Sequence, residues 1–312
     1  MRKELETNPG VRGGMRRDAR LYQILFLGLL LGAGAWLRDF SLRPAQVVLT
    51  FAAGWLTQAA CERLWKVKRP GTLSALITSF SLSILLRAGN LWAHPLAAAV
   101  AIAGKFVLRA RGKHLFNPGN LGIVFALILL PGTWTSPGQW GHDLAFAAWF
   151  VSLGVVVTSK ARRGDVSWAF LAFYLGAIAL RVAWLGQSRA VWLHQLSNGS
   201  LLLFAFFMIS DPMTIPNHPR GRAAHAALVA AVAFLWQYAL YRANGPLWAL
   251  FLCAPAVPLW DLLWPAAKFE WRSVTPKGDR HETGSTPSQH PAPAAPAGVG
   301  GPLGFPLPHP GA

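Results

Sequence analysis

"GKHLFNPGNLGIVFAL", running from Gly112 to Leu127, carries a basic, turn-rich opening straight into an unbroken apolar run. Proline lacks the N–H that a helix interior needs, while Asn and Gly suit a helix start, so "FNPGN" reads as the first turn of a helix. The residues after that turn leave the helix no polar face, which suits either lipid or the middle of a large core. The rest of the chain decides between the two.

The 312 residues are 53% hydrophobic and 13% charged. An ordinary soluble domain is roughly 25% charged. Apolar runs of about 17–25 residues, long enough to cross a hydrocarbon layer as a helix, recur from Leu21 to Trp264. They predict about ten helices, near 21–39, 44–62, 72–88, 91–109, 118–133, 143–159, 166–185, 195–212, 223–241 and 246–264. The fold class expected is an all-α polytopic membrane protein. The first run follows a basic segment, residues 1–20, and no small-residue cleavage site comes after it, so it reads as an uncleaved first helix, with Met15 as an alternative start. Residues 273–312 are dominated by Pro, Gly, Ala, Ser and Thr and predict a disordered tail with no chemistry of its own.

The net charge of +17 would suggest nucleic acid in a soluble protein, but here Lys and Arg lie between the apolar runs, where they orient helices, and nucleic acid is not an expected partner. Arg16, Arg17 and Arg20; Arg63, Lys66, Lys68 and Arg69; Arg109, Arg111 and Lys113; Lys160, Arg162 and Arg163; Arg220 and Arg222; and Lys268 and Arg272 fall in alternate segments. The intervening loops hold only scattered arginines such as Arg38, Arg87 and Arg242, an alternation that places both termini in the cytoplasm. Cys61 and Cys253 are the two cysteines, with no Cys-x-x-Cys, so no iron–sulfur or zinc centre held by this chain is expected. His94 and His194 sit at predicted helix ends and make a poor haem pair.

A second stretch, "FFMISDPMTIPNHPRGR" from Phe206 to Arg222, reverses the order of the first: apolar, then Asp-Pro, then Arg. "SDPMT" ends a helix on the side where "FNPGN" begins one, which brings Asp211 and Thr214 near Asn117 and Asn120 if the two halves of the chain pack together. Polar helix breaks at one depth are how a membrane protein builds a site, and the N–H groups of a capped helix start attract anions or ligand carbonyls. Asn117, Pro118, Asn120, Asp211 and Thr214 are therefore the candidate binding residues. The alternative, that they only cap helices at the water boundary, stays open. Glu62 and Asp261 close apolar runs near the cytoplasm, either as ion or proton ligands or as partners of nearby Arg and Lys. "GTLSALITSFSLSILLRAGN" (71–90) and "SNGSLLLFAFFMISDPMTIPN" (197–217) are both short apolar segments opened by Ser or Gly and closed by turn residues. Five helices per half, an odd number, would invert one half against the other.

"KHLFNPGNLGIV", "SALITSFSLSILL", "LLLFAFFMISDPMTIPNHPRGR" and "LWALFLCAPAVPLWD" together resemble the D-type membrane component of the Rnf-type electron-transport complex and the B-type component of the sodium-translocating NADH:quinone oxidoreductase, two branches of one family. The resemblance covers about Ala45 to Trp264. It implies two inverted five-helix halves similar to urea and ammonium channels, residues 21–133 and 143–264, in a bacterial cytoplasmic membrane. It also implies flavin bound within the membrane, with other membrane and flavoprotein subunits as partners and a quinone among the candidate acceptors. The family attaches FMN to the last Thr of a Ser-Gly-Ala-Thr motif between the fifth and sixth helices. The corresponding loop here, "LPGTWTSPGQWGHD" (130–143), has no such motif, and neither Thr133 nor Thr135 has the Gly-Ala context before it. No covalent flavin and no metal are expected. The reading carried forward is an electron-transport subunit with riboflavin or FMN held non-covalently near Asn117 and Asp211. A solute or ion channel on the same scaffold and a cofactor-free anchor for a redox partner are the alternatives.

Overall fold

The computed structural model describes residues 18–37, 42–67, 71–135, 144–196 and 198–269. The basic residues before Asp18, the loop 136–143 and the 273–312 tail lie outside the described residues. All described residues belong to one compact unit, Met1–Val274.

The chain is mostly helical. Its first part runs α1 (Ala19–Leu37), α2 (Pro44–Leu64), α3 (Thr72–Leu85), β1 (Leu86–Ala88), α4 (Ala93–Val107), β2 (Arg109–Ala110), β3 (Lys113–His114), α5 (Pro118–Leu129) and β4 (Thr133–Thr135). The second part runs α6 (Leu144–Ala161), α7 (Gly164–Trp184), α8 (Arg189–Leu196), α9 (Gly199–Leu203) and a π-helical turn over Phe204–Met208. It continues with α10 (Pro219–Tyr238), α11 (Gly245–Cys253) and α12 (Val257–Leu263), the last two joined by a 3₁₀ turn, Ala254–Ala256. Proline opens α2, α5 and α10, where its missing N–H costs nothing. The side chains of Asn117, Asn198 and His218 accept backbone N–H groups at the starts of α5, α9 and α10.

Helices stand near the predicted positions, with two of them interrupted, and the one expected over 246–264 passes through the 3₁₀ turn between α11 and α12. The single helix expected over 195–212 is broken: α8 ends at Leu196, Asn198 caps a new start, and the π-helical turn replaces the end. Among the described residues, Gly164–Trp184 and Gly245–Leu263 are long and apolar enough to cross a membrane, and Thr72–Leu85, Ala93–Val107 and Pro118–Leu129 are apolar but shorter. The shortening has local causes. α3 stops where Leu86–Ala88 pairs antiparallel with Thr133–Thr135, and α5 stops on the same account.

The outside of the molecule is apolar. α7 buries Phe170, Tyr174 and Ile178 on one face while exposing Leu180 (74%) and Trp184 (89%) on the other. Trp36 is exposed as well. Large apolar side chains spread over the outer helix faces are costly in water and ordinary in lipid. Inside, α1 packs on α3, α2 on α3 and α4, and α4 on α5; α6 packs on α9, α7 on α10 and the π-helical turn, and α10 on α11. The two sets meet where α1 touches α6 and α5 touches α11. Small residues set the closest approaches: a Cβ on Gly122 would lie 2.7 Å from Ala97 O, and one on Gly245 would lie 2.6 Å from Ala233 O. Between α4 and α5, β2 and β3 form a hairpin whose central residues, Arg111 and Gly112, both have positive φ, as a two-residue hairpin turn of this hand requires.

Candidate functional site

The hairpin delivers the chain to Asn117 in extended conformation, so the Asn117 side chain is free to face the following turn. Its Oδ1 accepts the N–H of Asn120 at 3.0 Å, the cap that the sequence predicts. Its Nδ2 meanwhile reaches the other half of the chain, donating to Met208 O at 3.3 Å and, at the long end of the hydrogen-bond range, to Asp211 Oδ2 at 3.4 Å. Asp211 Oδ1 accepts the N–H of Met213 at 3.0 Å, which folds "SDPMT" into a tight Asx turn. The two polar breaks thus meet, and each residue caps its own segment as well.

A cavity of about 160 Å³ opens at this junction. Asn117, Pro118 and Asp211 line it. Asn120 and Thr214 do not. Asn120 is buried on the far side of α5, donating through Nδ2 to Leu247 O at 2.9 Å, and Thr214 is buried with its hydroxyl on Asp211 O at 3.3 Å. Asn120 therefore joins α5 to α11, and Thr214 closes the Asp211 turn.

The rest of the wall comes from residues that the motif reading passed over. Ser74, Thr78 and Ser81 present one face of α3 to the cavity, and Thr158 and Ser210 join them. Thr78, Ser81, Thr158 and Ser210 each donate to the carbonyl four residues back, which leaves their oxygen lone pairs for an incoming group. Behind Ser74, the buried Lys105 donates to its hydroxyl at 3.3 Å. His114, on the wall, faces Lys105 O through Nδ1 at 3.1 Å. Burial, and then the charges of Lys105 and Arg109, push the His114 imidazole down to about 4, so it is neutral at pH 7. The i, i+4, i+7 spacing of Ser74, Thr78 and Ser81 in "SALITSFSLS" is the signal that would have found this wall.

A clasp holds the Asp211 loop in place. Lys113 donates to Ile215 O, to Asn217 Oδ1 at 3.3 Å and to Asp261 Oδ2 at 2.8 Å, while Asp261 Oδ1 accepts the N–H of Asn217 at 2.7 Å. Arg222 adds a contact to Asn217 O and an ion pair with Asp165 at 2.6 Å. Asp261 thereby takes the structural of its two expected roles, as partner of a lysine. Glu62 is held by Gln58 Nε2 at 2.8 Å and by the N–H of Gly71, while Lys68 and Arg69 lie outside the described residues. His94 is buried against the Thr50 hydroxyl at 3.1 Å and His194 lies exposed on α8, so the two are placed in different surroundings. Thr133 donates to Ala126 O and Leu130 O and closes the end of α5. Thr135 lines a second cavity.

Comparison with known proteins agrees with the motifs. The NQR2, RnfD, RnfE family matches over residues 146–270. The D component of the ion-translocating oxidoreductase complex of Pseudomonas paraeruginosa is 26% identical across 82% of this chain and 92% of that protein. The protein of the same name from Pseudomonas aeruginosa is 24% identical over the same shares, and that from Haemophilus influenzae is 29% identical over 46% of this chain and 40% of its own length. The matched segment takes in α7, α10, the Asp211 turn, Asn217 and Asp261, one side of the junction, while Asn117, Lys113 and the α3 wall lie before it. The chain is similar, by motif and by these matches alike, to the NQR2, RnfD, RnfE family.

Proposed function

We propose that the chain is a membrane subunit of an ion-translocating electron-transport complex, built as two inverted five-helix halves of ten membrane crossings with both termini in the cytoplasm. Support for the halves comes from the repeated order of packing, in which α2 on α4 and α4 on α5 are matched by α7 on α10 and α10 on α11. The matching crossings also each make a close approach at a glycine, Gly122 and Gly245. An alternation of Lys and Arg between the helices supports the orientation. The names of the relatives support the complex, and its other membrane and flavoprotein subunits, with a quinone as candidate acceptor, are the partners proposed.

The proposed ligand is a non-covalent flavin, riboflavin or FMN, at the junction of the halves. The observation that carries this reading is Asn117 Nδ2, which bridges from one half to Met208 O and Asp211 on the wall of a cavity. The wall fits the polar edge of an isoalloxazine: Asn117 can exchange its long 3.4 Å contact with Asp211 for a ring carbonyl, which frees Asp211 to accept the ring N–H, and Phe207 and Met213 offer apolar surface. Bound there, a flavin supplies one-electron chemistry. The chain's own part is to hold and orient the ring, keep His114 neutral beside it and exclude water. A solute channel would need a continuous polar path, and Leu82, Ala205 and Phe206, on the segments that contribute to both cavities, are fully buried and apolar.

The absorbance spectrum of the purified protein before and after acid precipitation tests the proposal. Flavin is expected in the acid supernatant and none in the pellet. Asn117→Ala and Asp211→Ala should each lower the flavin content while folded protein still accumulates, and the double variant should lose less than the two single losses combined. Protein that carries no flavin, or flavin content indifferent to both substitutions, would refute it.

A further inference from the structure

α2 is inside out for a helix in water. It buries Gln46, Thr50, Gly54, Gln58 and Cys61 and turns its large apolar side chains outward. Leu49, Leu56 and Arg63 follow one another at two-turn spacing, so the exposed apolar track of the helix ends in a base. At that end α2 meets the end of α4: the rings of Trp65 and Phe106 lie 5.7 Å apart, and the residues next to them, Leu64 and Val107, are 74% and 63% exposed. Exposed bases surround the aromatic pair, Arg63 and Lys66 at the close of α2 and Arg109 just after α4.

Among the described residues no acid answers these bases. Glu62, their neighbour in sequence, gives its carboxylate to Gln58 Nε2 at 2.8 Å and to the N–H of Gly71. Arg63 and Lys66 make no side-chain hydrogen bond or ion pair among the described residues, and Arg109 uses one N–H group on Gly112 O at 3.0 Å. Lys66 has a φ of 49° and is the left-handed residue of a Schellman turn, in which the N–H of Val67 donates to Glu62 O at 2.9 Å. Glycine takes that conformation without strain, so a lysine there holds its charge against a backbone preference. An acidic protein docking from the water would cover the bases and leave Leu56, Leu64 and Val107 bare. A phospholipid covers both, with its phosphate among the bases and the Trp65 indole and its chains along Leu56 and Leu49. A choline headgroup would bring its own cation against three others, whereas a glycerol headgroup brings none.

We propose that the joined ends of α2 and α4 bind an anionic phospholipid of the phosphatidylglycerol type, with Arg63, Lys66 and Arg109 as the groups that hold its phosphate. The site is separate from the flavin proposed at Asn117 but bears on the same wall. Glu62 and Lys105, the residues beside Arg63 and Phe106, hold the start of α3 at Gly71 and Ser74, and Ser74 lines the Asn117 cavity. The full chain, delipidated in a neutral detergent, is titrated with phosphatidylglycerol or phosphatidylcholine, and bound lipid is counted by native mass spectrometry. Phosphatidylglycerol should be retained roughly tenfold better than phosphatidylcholine, and Arg63→Gln, Lys66→Gly and Arg109→Gln should each weaken its binding about fivefold. Lys66→Gly should do so while melting no lower than wild type by circular dichroism, because glycine suits the left-handed position, and this separates a lost contact from a lost fold. Arg220→Gln, which removes an exposed base at the start of α10, should leave lipid binding within about twofold. Equal retention of the two lipids, binding unchanged in all three variants, or an equal loss in Arg220→Gln would overturn the proposal. Binding of a decaglutamate peptide that the same three substitutions abolish, with no preference between the lipids, would assign the face to an acidic protein instead. Flavin content plays no part in these readouts, so failure of the flavin reading would appear separately, as an acid supernatant without flavin.

Discussion

Asp261→Asn is the sharpest test of how the Asp211 loop is held. The Lys113 and Asp261 side chains are only 5% and 9% exposed and stand 2.8 Å apart. Asparagine keeps an oxygen for the N–H of Asn217 but leaves the lysine as a buried cation facing Ile215 O and an amide. Breaking a buried pair from one side costs about 3–5 kcal/mol, because the remaining charge has given up water without a counter-ion. Burial already lowers the Lys113 pKa, and the Asp261 bond and charge oppose that shift. Without Asp261 the lowering goes further, so over the intervening pH range the unfolded chain binds a proton that the folded one releases. Stability of the variant should then rise with pH, and part of the loss at pH 7 should be recovered near the upper end of the range that the protein tolerates. Adding Lys113→Met removes the stranded charge and leaves mainly an unpaired Ile215 carbonyl, worth about 1–3 kcal/mol. The double variant should be more stable than Asp261→Asn alone. Equilibrium unfolding by titration with SDS, followed by tryptophan fluorescence at several pH values, measures all three. A double variant at or below the sum of the single losses, or an Asp261→Asn protein as stable as wild type, would show that the pair does not hold the loop.

His114 gives a second pH test in the opposite part of the scale. Its folded pKa, about 4, lies below the ordinary histidine value of 6.5, so stability present above pH 6.5 should fall by about 2 kcal/mol between pH 7 and pH 5. His114→Gln should flatten that dependence in the same SDS titration, and an unchanged slope would contradict the assignment. For topology, reporter fusions at Arg20 and at Ser288 should both report from the cytoplasm, and either one reporting from outside would require a different number of crossings.

The helices are legible in the sequence because their signal is long and redundant. The apolar runs predict α2 over 44–62 and α7 over 166–185, and the two helices span Pro44–Leu64 and Gly164–Trp184. Apolar runs bounded by Pro, Asn and Lys or Arg leave little freedom in where a helix starts and stops. Two features are not legible. The β1–β4 pairing joins three-residue segments 47 positions apart, from Leu86 to Thr133, and nothing periodic can be read in three residues. The break at Asn198 is lost in a span-length reading, which averages Gln195, Ser197, Gly199 and Ser200 with the apolar run from Leu201 onward, and it turns on one side-chain oxygen. At the site, Asn117, Pro118 and Asp211 are legible because turn residues inside apolar sequence cost stability unless position requires them. Asn120 and Thr214 share only nearness in the chain with them. Asn120 is drawn to α11 by Leu247 O, and Thr214 lies in the turn after Asp211, outside any helix, so nearness in sequence carries neither to the cavity wall.

The π-helical turn explains why the expected juxtaposition forms at all. At its end, Ile209 donates its N–H to Phe204 O, five residues back, at 3.0 Å. One extra residue in a turn shifts everything beyond it by about 100° around the axis relative to an unbroken α-helix. The shift turns the end of the segment so that Phe207, Ser210 and Asp211 share the cavity of Asn117, while Phe204 and Met208 stay on the wall of the other cavity. A regular α-helix through the same residues could not divide its side chains between the two cavities in this way and still bury Phe206, which packs edge-on against Trp168 with ring centres 5.3 Å apart. The irregular turn, and not the polar residues alone, divides one short segment between two chemically different cavities.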